Sequence, residues 1–238
     1  MDRLAIPALQ DMKRRGRKIV GVVAWDAQMA AIAERAGADL VSVGDSVGVN
    51  LWGRAEAEGV SIEEMLLVCK AVRRGVKRAV LSCDVPSASL EDAKRLTEEG
   101  GADIVKILGA AEGVRAIASR GIPVFAELHG GRPTEELVSD AKALEEAGAA
   151  LLDFRHSGPE AGAAVVQAVS IPVLGGLGGG PWLDGRMRMA HAAIGYAASW
   201  IDSQAETYAN VAKVSLQALS EYAQDVRSGR QLKGQRRG

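Results

Sequence analysis

Polar or charged residues that could take part in catalysis follow six short apolar segments of the sequence. The six positions are Asp26, Asp45 with Ser46, Asp84, Lys106, Glu127 and Asp153. If the segments are parallel strands of a barrel, these side chains meet at one end of it. Such crowding of carboxylates around one lysine costs free energy unless a cation or a substrate relieves it. Carboxylate oxygens suit hard divalent cations, so the pattern favours a Mg2+ site, although each aspartate taken singly could be a turn residue or a helix N-cap.

The apolar segments have the composition of strands that are buried on both faces. They are rich in Val, Ile and Leu and do not alternate with polar residues, as is typical of parallel sheets. The sequence predicts strands over 19–24, 40–43, 79–81, 104–107, 124–126, 151–152 and 173–174, with a weaker eighth candidate at 192–196. Amphipathic segments between them predict helices over 27–35, 62–73, 90–98, 112–118, 135–146 and 160–169.

This alternation indicates right-handed βαβ units and a parallel sheet. The chain has 238 residues, close to the length of about 250 that is typical of a closed (β/α)8 barrel. A doubly wound open sheet would show a GxGxxG motif after the first strand, and the sequence contains none. We therefore predict an α/β fold in which residues 1–238 form a single (β/α)8 TIM-type barrel domain. An extra C-terminal helix is predicted over 203–227, followed by a flexible basic tail over 228–238.

Composition and charge exclude several classes of protein. The 29 Lys and Arg residues nearly balance the 30 Asp and Glu residues, which gives a formal net charge of −1. A binder of nucleic acid or of a membrane surface would need a field of one sign, so neither partner is expected. The two cysteines, Cys69 and Cys83, indicate neither a disulfide framework nor a zinc ribbon. No signal-peptide segment and no apolar run of about 18 residues is present, so a cytoplasmic protein is predicted.

Two further motifs have alternative interpretations. Residues 44–48 match the G-x-S-x-G nucleophile elbow of hydrolases, and His129, His156 or His191 could complete a triad with Ser46. In that class the oxyanion motif precedes the serine, whereas the His-Gly-Gly segment at 129–131 follows it, so the order disfavours a hydrolase. The glycine-rich segment 175–180 predicts either an anion site built from backbone N–H groups or a loop that other groups approach closely.

Several motifs together resemble ketopantoate hydroxymethyltransferases, a family of (β/α)8 barrels in the phosphoenolpyruvate mutase/isocitrate lyase superfamily. The motifs are VGDSVG at 43–48, SIEEML at 61–66, DVP at 84–86 and EGGADIVK at 99–106, with further similarity at 121–124, 140–149 and 171–175. The resemblance covers most of residues 18–196. It implies an enzyme of pantothenate biosynthesis that forms a homo-oligomer.

The resemblance also implies a set of roles for individual residues. Asp45 and Asp84 would hold Mg2+, and Ser46 and Lys106 would contact a 2-oxo acid such as 2-oxoisovalerate. The metal would stabilise the enolate of that acid, which then attacks the one-carbon group of 5,10-methylenetetrahydrofolate. The expected reaction is therefore an aldol-type transfer of a hydroxymethyl group.

Three residues depart from the family's pattern. Leu108 stands where the family has a glutamate, Glu127 where it has a histidine, and Asp153 where it has the glutamate that acts as general base. Asp153 and Glu127 are therefore the predicted catalytic residues, with a base one methylene shorter than usual. The segment 128–133 is also shorter than in the family. Alternatives are a carbon–carbon lyase or phosphoenolpyruvate mutase-type enzyme on another 2-oxo acid, or a barrel without catalytic activity.

The predicted C-terminal helix bears an apolar stripe. Its members are Val211, Val214, Leu216, Leu219 and Tyr222. Such a stripe predicts contact with a second subunit or, alternatively, packing against the chain's own barrel.

Overall fold

Eight parallel strands close into a barrel in the order in which they occur along the chain. The computed structural model describes residues 3–56, 59–87, 89–176 and 178–234. The strands are β1 (Ile19–Val23), β2 (Leu40–Val43), β3 (Val80–Asp84), β4 (Ile104–Leu108), β5 (Val124–His129), β6 (Ala149–Arg155), β7 (Val173–Gly175) and β8 (Gly185–Met189). Closure in sequence order confirms the predicted (β/α)8 TIM-type barrel.

One helix precedes β1, helices follow every strand except β7 in the described residues, and a further helix lies near the C-terminus. They are α1 (Ile6–Arg14), α2 (Ala27–Arg35), α3 (Val47–Asn50), α4 (Ile62–Gly75), α5 (Leu90–Glu98), α6 (Ala111–Ala118), α7 (Thr134–Glu146), α8 (Pro159–Ala168), α9 (Ala190–Ile194) and α10 (Val211–Arg227). Local capping explains several starts: Ser61 and Glu64 form a reciprocal capping box at α4. The Ser89 side chain accepts a hydrogen bond from the first turn of α5.

The predicted eighth strand at 192–196 is wrong, because α9 occupies part of that segment. The eighth strand is β8, in which buried Gly185 and Met187 alternate with exposed Arg186 and Arg188. The prediction depends on continuous apolar segments, which are typical of strands buried on both faces, and the arginines of β8 break that pattern.

The N-terminal end of the barrel is closed by α1, a helix that the sequence analysis did not predict. Leu9 and Met12 of α1 pack with an inward-facing layer from the strands, which includes Phe125 and Leu174. Burial of these side chains removes apolar surface from water and seals this end. The opposite end, where the strands have their carboxyl termini, is therefore where a substrate can enter.

Contacts between residues divide the chain into two compact units, residues 1–188 and residues 189–238. In the second unit the Asn210 side chain caps α10, which begins at Val211 instead of the predicted residue 203. Val214, Leu219 and Tyr222 on α10 are exposed, and the homo-oligomer stays a prediction. Of the predicted flexible tail, residues 235–238 lie outside the described part of the chain. Among the described residues, every helix is too short or too polar to cross a bilayer.

Candidate active site

The register between neighbouring strands brings four of the predicted residues to the open end of the barrel. Asp84 at the end of β3 lies opposite Lys106 of β4. Glu127 of β5 lies opposite Asp153 of β6. The side chains of all four converge on one point, the Nζ atom of Lys106. The strand ends therefore build one ionic cluster from groups that are far apart in sequence.

Lys106 is the centre of this cluster and is almost completely buried. Its Nζ lies 2.9 Å from Glu127 Oε2, 2.9 Å from Asp153 Oδ2 and 3.9 Å from Asp84 Oδ1. Burial alone would lower the pKa of Lys106, but attraction by Asp84, Asp153 and Glu127 outweighs it and raises the pKa. The lysine is therefore a fixed cation and not a base at neutral pH.

Asp153 is buried, and both of its carboxylate oxygens are engaged. Oδ1 accepts a hydrogen bond of 3.1 Å from the backbone N–H of Gly176. Oδ2 faces Lys106 and lies 3.5 Å from Nε of Arg155. These contacts fix the orientation of the carboxylate, which a candidate base requires.

Glu127 joins the cluster to the surface. Its Oε2 lies 2.9 Å from Lys106 Nζ and 2.9 Å from Nη2 of Arg155. Its Oε1 forms a hydrogen bond with Nε2 of His129, whose side chain is 49% exposed. Burial alone would lower the pKa of Arg155, but Glu127 and Asp153 raise it, so two fixed cations hold the inner carboxylates.

The two carboxylate oxygens of Asp84 have different surroundings. Oδ2 accepts a hydrogen bond of 3.3 Å from the backbone N–H of Asp45, whereas Oδ1 is buried and has no hydrogen-bond donor. Burial raises the pKa of Asp84 to about 6; Lys106 opposes this rise and the carboxylate of Asp45 adds to it. Asp84 Oδ1 is buried without a hydrogen-bond donor, and the carboxylate of Asp45 is close enough to raise the pKa of Asp84. A cation bound here would stabilise both carboxylates.

The space between these groups is open because residue 44 is a glycine. A Cβ at Gly44 would stand 3.1 Å from Ser46 Oγ and 3.5 Å from Asp84 Oδ2. Among the described residues no set of three or more His, Cys, Asp or Glu side chains is arranged to hold a metal ion. Two carboxylates are enough for Mg2+, which usually keeps several waters and takes the remaining ligands from its substrate. The donor set of Asp45 and Asp84 therefore fits this ion.

Asp26, the first of the six strand-end residues, does not belong to the cluster's ion pairs. Its Oδ1 accepts hydrogen bonds of 2.8 Å from the backbone N–H groups of Gln28 and Met29. It is the N-cap of α2, which is the structural interpretation given for a single aspartate.

The glycine-rich segment supports close packing. A Cβ at Gly179 would be 2.9 Å from the Cα of Gly175, and a Cβ at Gly180 would be 2.2 Å from the Trp182 ring. Real Cβ atoms do not approach so closely, so bulkier residues would push the segment apart. The N–H of Gly176 is used by Asp153, and Leu177 lies outside the described residues. Of the two interpretations, the structure supports the loop that other groups approach closely.

A cavity of about 520 Å3 lies beside the cluster, between the end of β4 and α7. Leu108, Glu127, His129 and Arg132 contribute to its walls. Leu108 is 66% exposed at its rim.

The hydrogen bond between His129 and Glu127 argues against a hydrolase triad of Ser46 and His129. It engages the ring nitrogen Nε2 with a carboxylate instead of Ser46.

Arg155 is a site residue that the sequence analysis missed, and His129 was considered there only as a partner of Ser46 in a hydrolase triad. Each lies two positions beyond a predicted residue, Asp153 or Glu127, and the two are opposite each other in the strand register. Residues two apart on a strand share a face. That periodicity was the available signal, but we stopped at the first polar residue of each strand end.

A closed (β/α)8 barrel with a buried acid–base cluster at the carboxyl ends of its strands defines an enzyme of the barrel class. Comparison with known proteins narrows this class. The family model for ketopantoate hydroxymethyltransferase matches residues 3–134 and 129–231. The chain belongs to the ketopantoate hydroxymethyltransferase family and is an enzyme of that transferase type.

Curated relatives agree with this assignment, and solved structures share the fold. The 3-methyl-2-oxobutanoate hydroxymethyltransferase of Cyanothece sp. is 34% identical over 94% of this chain and 97% of its own length. That of Geobacillus kaustophilus is 34% identical over 91% of this chain and 87% of its own. A phosphonopyruvate hydrolase solved with oxalate and Mg2+ has a TM-score of 0.65 at 17% identity, over 95% of this chain and 89% of its own. A 2,3-dimethylmalate lyase of the phosphoenolpyruvate mutase/isocitrate lyase superfamily has a TM-score of 0.62 at 17% identity. The match covers 98% of this chain and 90% of the lyase chain. These structural similarities show the shared barrel fold.

Proposed function

We propose that this protein transfers a hydroxymethyl group from 5,10-methylenetetrahydrofolate to a 2-oxo acid such as 2-oxoisovalerate, with Mg2+ as its cofactor. The observation that carries the proposal is the buried Oδ1 of Asp84, which accepts no hydrogen bond and lies 3.9 Å from the fixed cation Lys106. A metal cation would bind the carboxylate oxygen of Asp84, and an anionic substrate would bind Lys106. Family membership and the names of the relatives support the same reaction.

Asp45 and Asp84 would hold the Mg2+, which supplies Lewis-acid polarisation of the substrate's keto oxygen when it is bound. Lys106 would pair with the substrate's negative charge, and Ser46, which lies beside Asp84 across Gly44, would donate a hydrogen bond to it. Both residues orient the 2-oxo acid with its C3–H bond toward the interior of the cluster.

Asp153 is the proposed general base that removes the proton from C3. In the free enzyme its Oδ2 is held by Lys106 and Arg155 and therefore does not point freely toward a substrate. A substrate anion that competes for Lys106 would release Oδ2 while Gly176 still holds Oδ1. Binding of the oxo acid therefore frees Oδ2 to accept the C3 proton.

Two assays on the wild-type enzyme test this function. With Mg2+ and 2-oxoisovalerate in D2O, we expect deuterium to enter C3 without any one-carbon donor. Addition of 5,10-methylenetetrahydrofolate should then give the hydroxymethylated acid and tetrahydrofolate. The proposal is wrong if the exchange proceeds but the folate gives no product, or if a 2-oxo acid is cleaved with no folate present, as the lyase alternative requires.

The pKa of Asp84 gives the pH dependence of metal binding. Because that pKa is raised to about 6, a proton competes with Mg2+ below this pH. We expect the apparent Mg2+ affinity to be constant above about pH 7 and to fall about tenfold per pH unit below about pH 6. Calorimetric titration in two buffers of different ionisation enthalpy checks this, because binding at pH 6 should release part of one proton. A Mg2+ affinity that stays constant down to pH 5 would contradict it.

A further inference from the structure

His129 is placed between the buried cluster and the adjacent cavity. Its Nε2 is held by Glu127 Oε1, and its ring is half exposed in the wall of the cavity. Gly130, the next residue, donates a hydrogen bond of 2.8 Å to the carbonyl of Arg155. A Cβ at Gly130 would stand 2.0 Å from the carbonyl oxygen of His156, so only glycine permits this approach. The backbone on both sides of His129 is therefore fixed.

We propose that His129, oriented by Glu127, is a further catalytic residue that donates a proton to the one-carbon group arriving from this cavity. The inference rests on the proposed function, because it assigns the second half of that reaction. Since Glu127 occupies Nε2, the proton is exchanged at Nδ1. Imidazole is the side chain that gains and loses a proton near neutral pH.

The proton balance of the reaction requires a proton donor near the bound one-carbon group. Hydrolysis of the methylene bridge consumes one water and gives formaldehyde and tetrahydrofolate. The enolate C3 then forms a bond to the formaldehyde carbon, whose oxygen receives the electron pair of the C=O bond and takes the proton from His129. Asp153 holds the proton that left C3 and returns it to solvent, while solvent reprotonates His129. No electrons are gained or lost.

The other charged groups around the cavity are less suited to this role. Arg132 is paired with Asp140, 2.6 Å from Nη2 to Oδ2, and the guanidinium does not release a proton. Glu127 is held by the two cations Lys106 and Arg155 and accepts hydrogen bonds. Leu108, Ala110 and Ala111 also line the cavity and have no ionisable side chain. His129 is the group in this wall that combines access with a transferable proton.

Separate measurement of deuterium exchange and of transfer tests the role of His129. His129→Gln should keep C3 exchange within about twofold of wild type, but lower the kcat of transfer by about 100-fold or more. Asp153→Asn should lose both activities, because exchange precedes transfer. His156→Asn is the matched control: this exposed histidine follows Arg155 at a φ of 50° that asparagine tolerates, and both activities should persist.

Chemical rescue distinguishes a catalytic role of His129 from a purely structural one. Imidazole added to His129→Ala should restore transfer in a saturable manner, because the deleted ring faces an open cavity. Transfer at the wild-type rate in His129→Gln, or an equal loss of exchange and transfer, would overturn the inference while the proposed function stands. A wild-type enzyme that exchanges C3 but transfers nothing from the folate would overturn the proposed function and this role together.

Discussion

Replacement of Asp84 by asparagine should abolish Mg2+-dependent turnover and leave the metal-free protein folded. Asparagine has nearly the same shape, and its carbonyl oxygen can still accept the N–H of Asp45. It lacks the negative charge that holds the cation. We expect turnover to fall by about 1,000-fold, since Lewis-acid stabilisation is worth several kcal/mol. The Mg2+ affinity should fall by at least about 100-fold, the upper end of what loss of a supporting group costs.

The unfolding temperature separates this effect from misfolding. Without Mg2+, Asp84→Asn should unfold at the wild-type temperature or above it at pH 8, because burial of an ionised Asp84 is unfavourable. Saturating Mg2+ should raise the unfolding temperature of the wild type alone. Asp26→Asn is the control, since asparagine caps a helix as well as aspartate does and Asp26 is the N-cap of α2. Normal turnover in Asp84→Asn would disprove the metal role.

The barrel could be predicted because its physical signals are local. Buried parallel strands require continuous apolar segments, and the helices between them require an apolar stripe, so α2 and α5 were predicted with their observed bounds. The failures also have local causes. The arginines of β8 point away from the core and mask the strand. The amphipathic pattern of α10 continued into residues 203–210, where Asn210 provides the cap that starts the helix.

The site was predictable only in part, because its chemistry depends on contacts between strands. Sequence position identified Lys106 and Asp153 as strand-end residues, but strand order and register decide that their charged atoms meet at 2.9 Å. The role of Arg155 as a second cation depends on Glu127, which comes from a different strand. No local pattern encodes such a pair. Asp26 shows the converse, since it has the same strand-end position and its oxygen is used by its own helix.

Replacement of Lys106 by methionine should cost both activity and stability. Methionine has a similar length and no charge, so Asp84, Glu127 and Asp153 would lose the cation that they share. Loss of one partner from a buried ionic cluster destabilises a protein by about 3–5 kcal/mol. Urea unfolding at pH 8 should show this decrease, and the kcat/KM should fall by about 1,000-fold with loss of the substrate's counter-ion. Lys142→Met on the exposed face of α7 is the control and should change neither quantity.

The pH dependence of stability identifies the cause of that loss. Without Lys106 the buried carboxylates would bind protons more tightly in the folded protein than in the unfolded chain. Stability then rises as the pH falls, because the folded state takes up more protons. The difference in unfolding free energy between Lys106→Met and the wild type should therefore narrow steadily from pH 8 to pH 5. A difference that is independent of pH would mean that lost packing, and not three uncompensated carboxylates, explains the destabilisation. The ionic cluster would then not stabilise this end of the barrel.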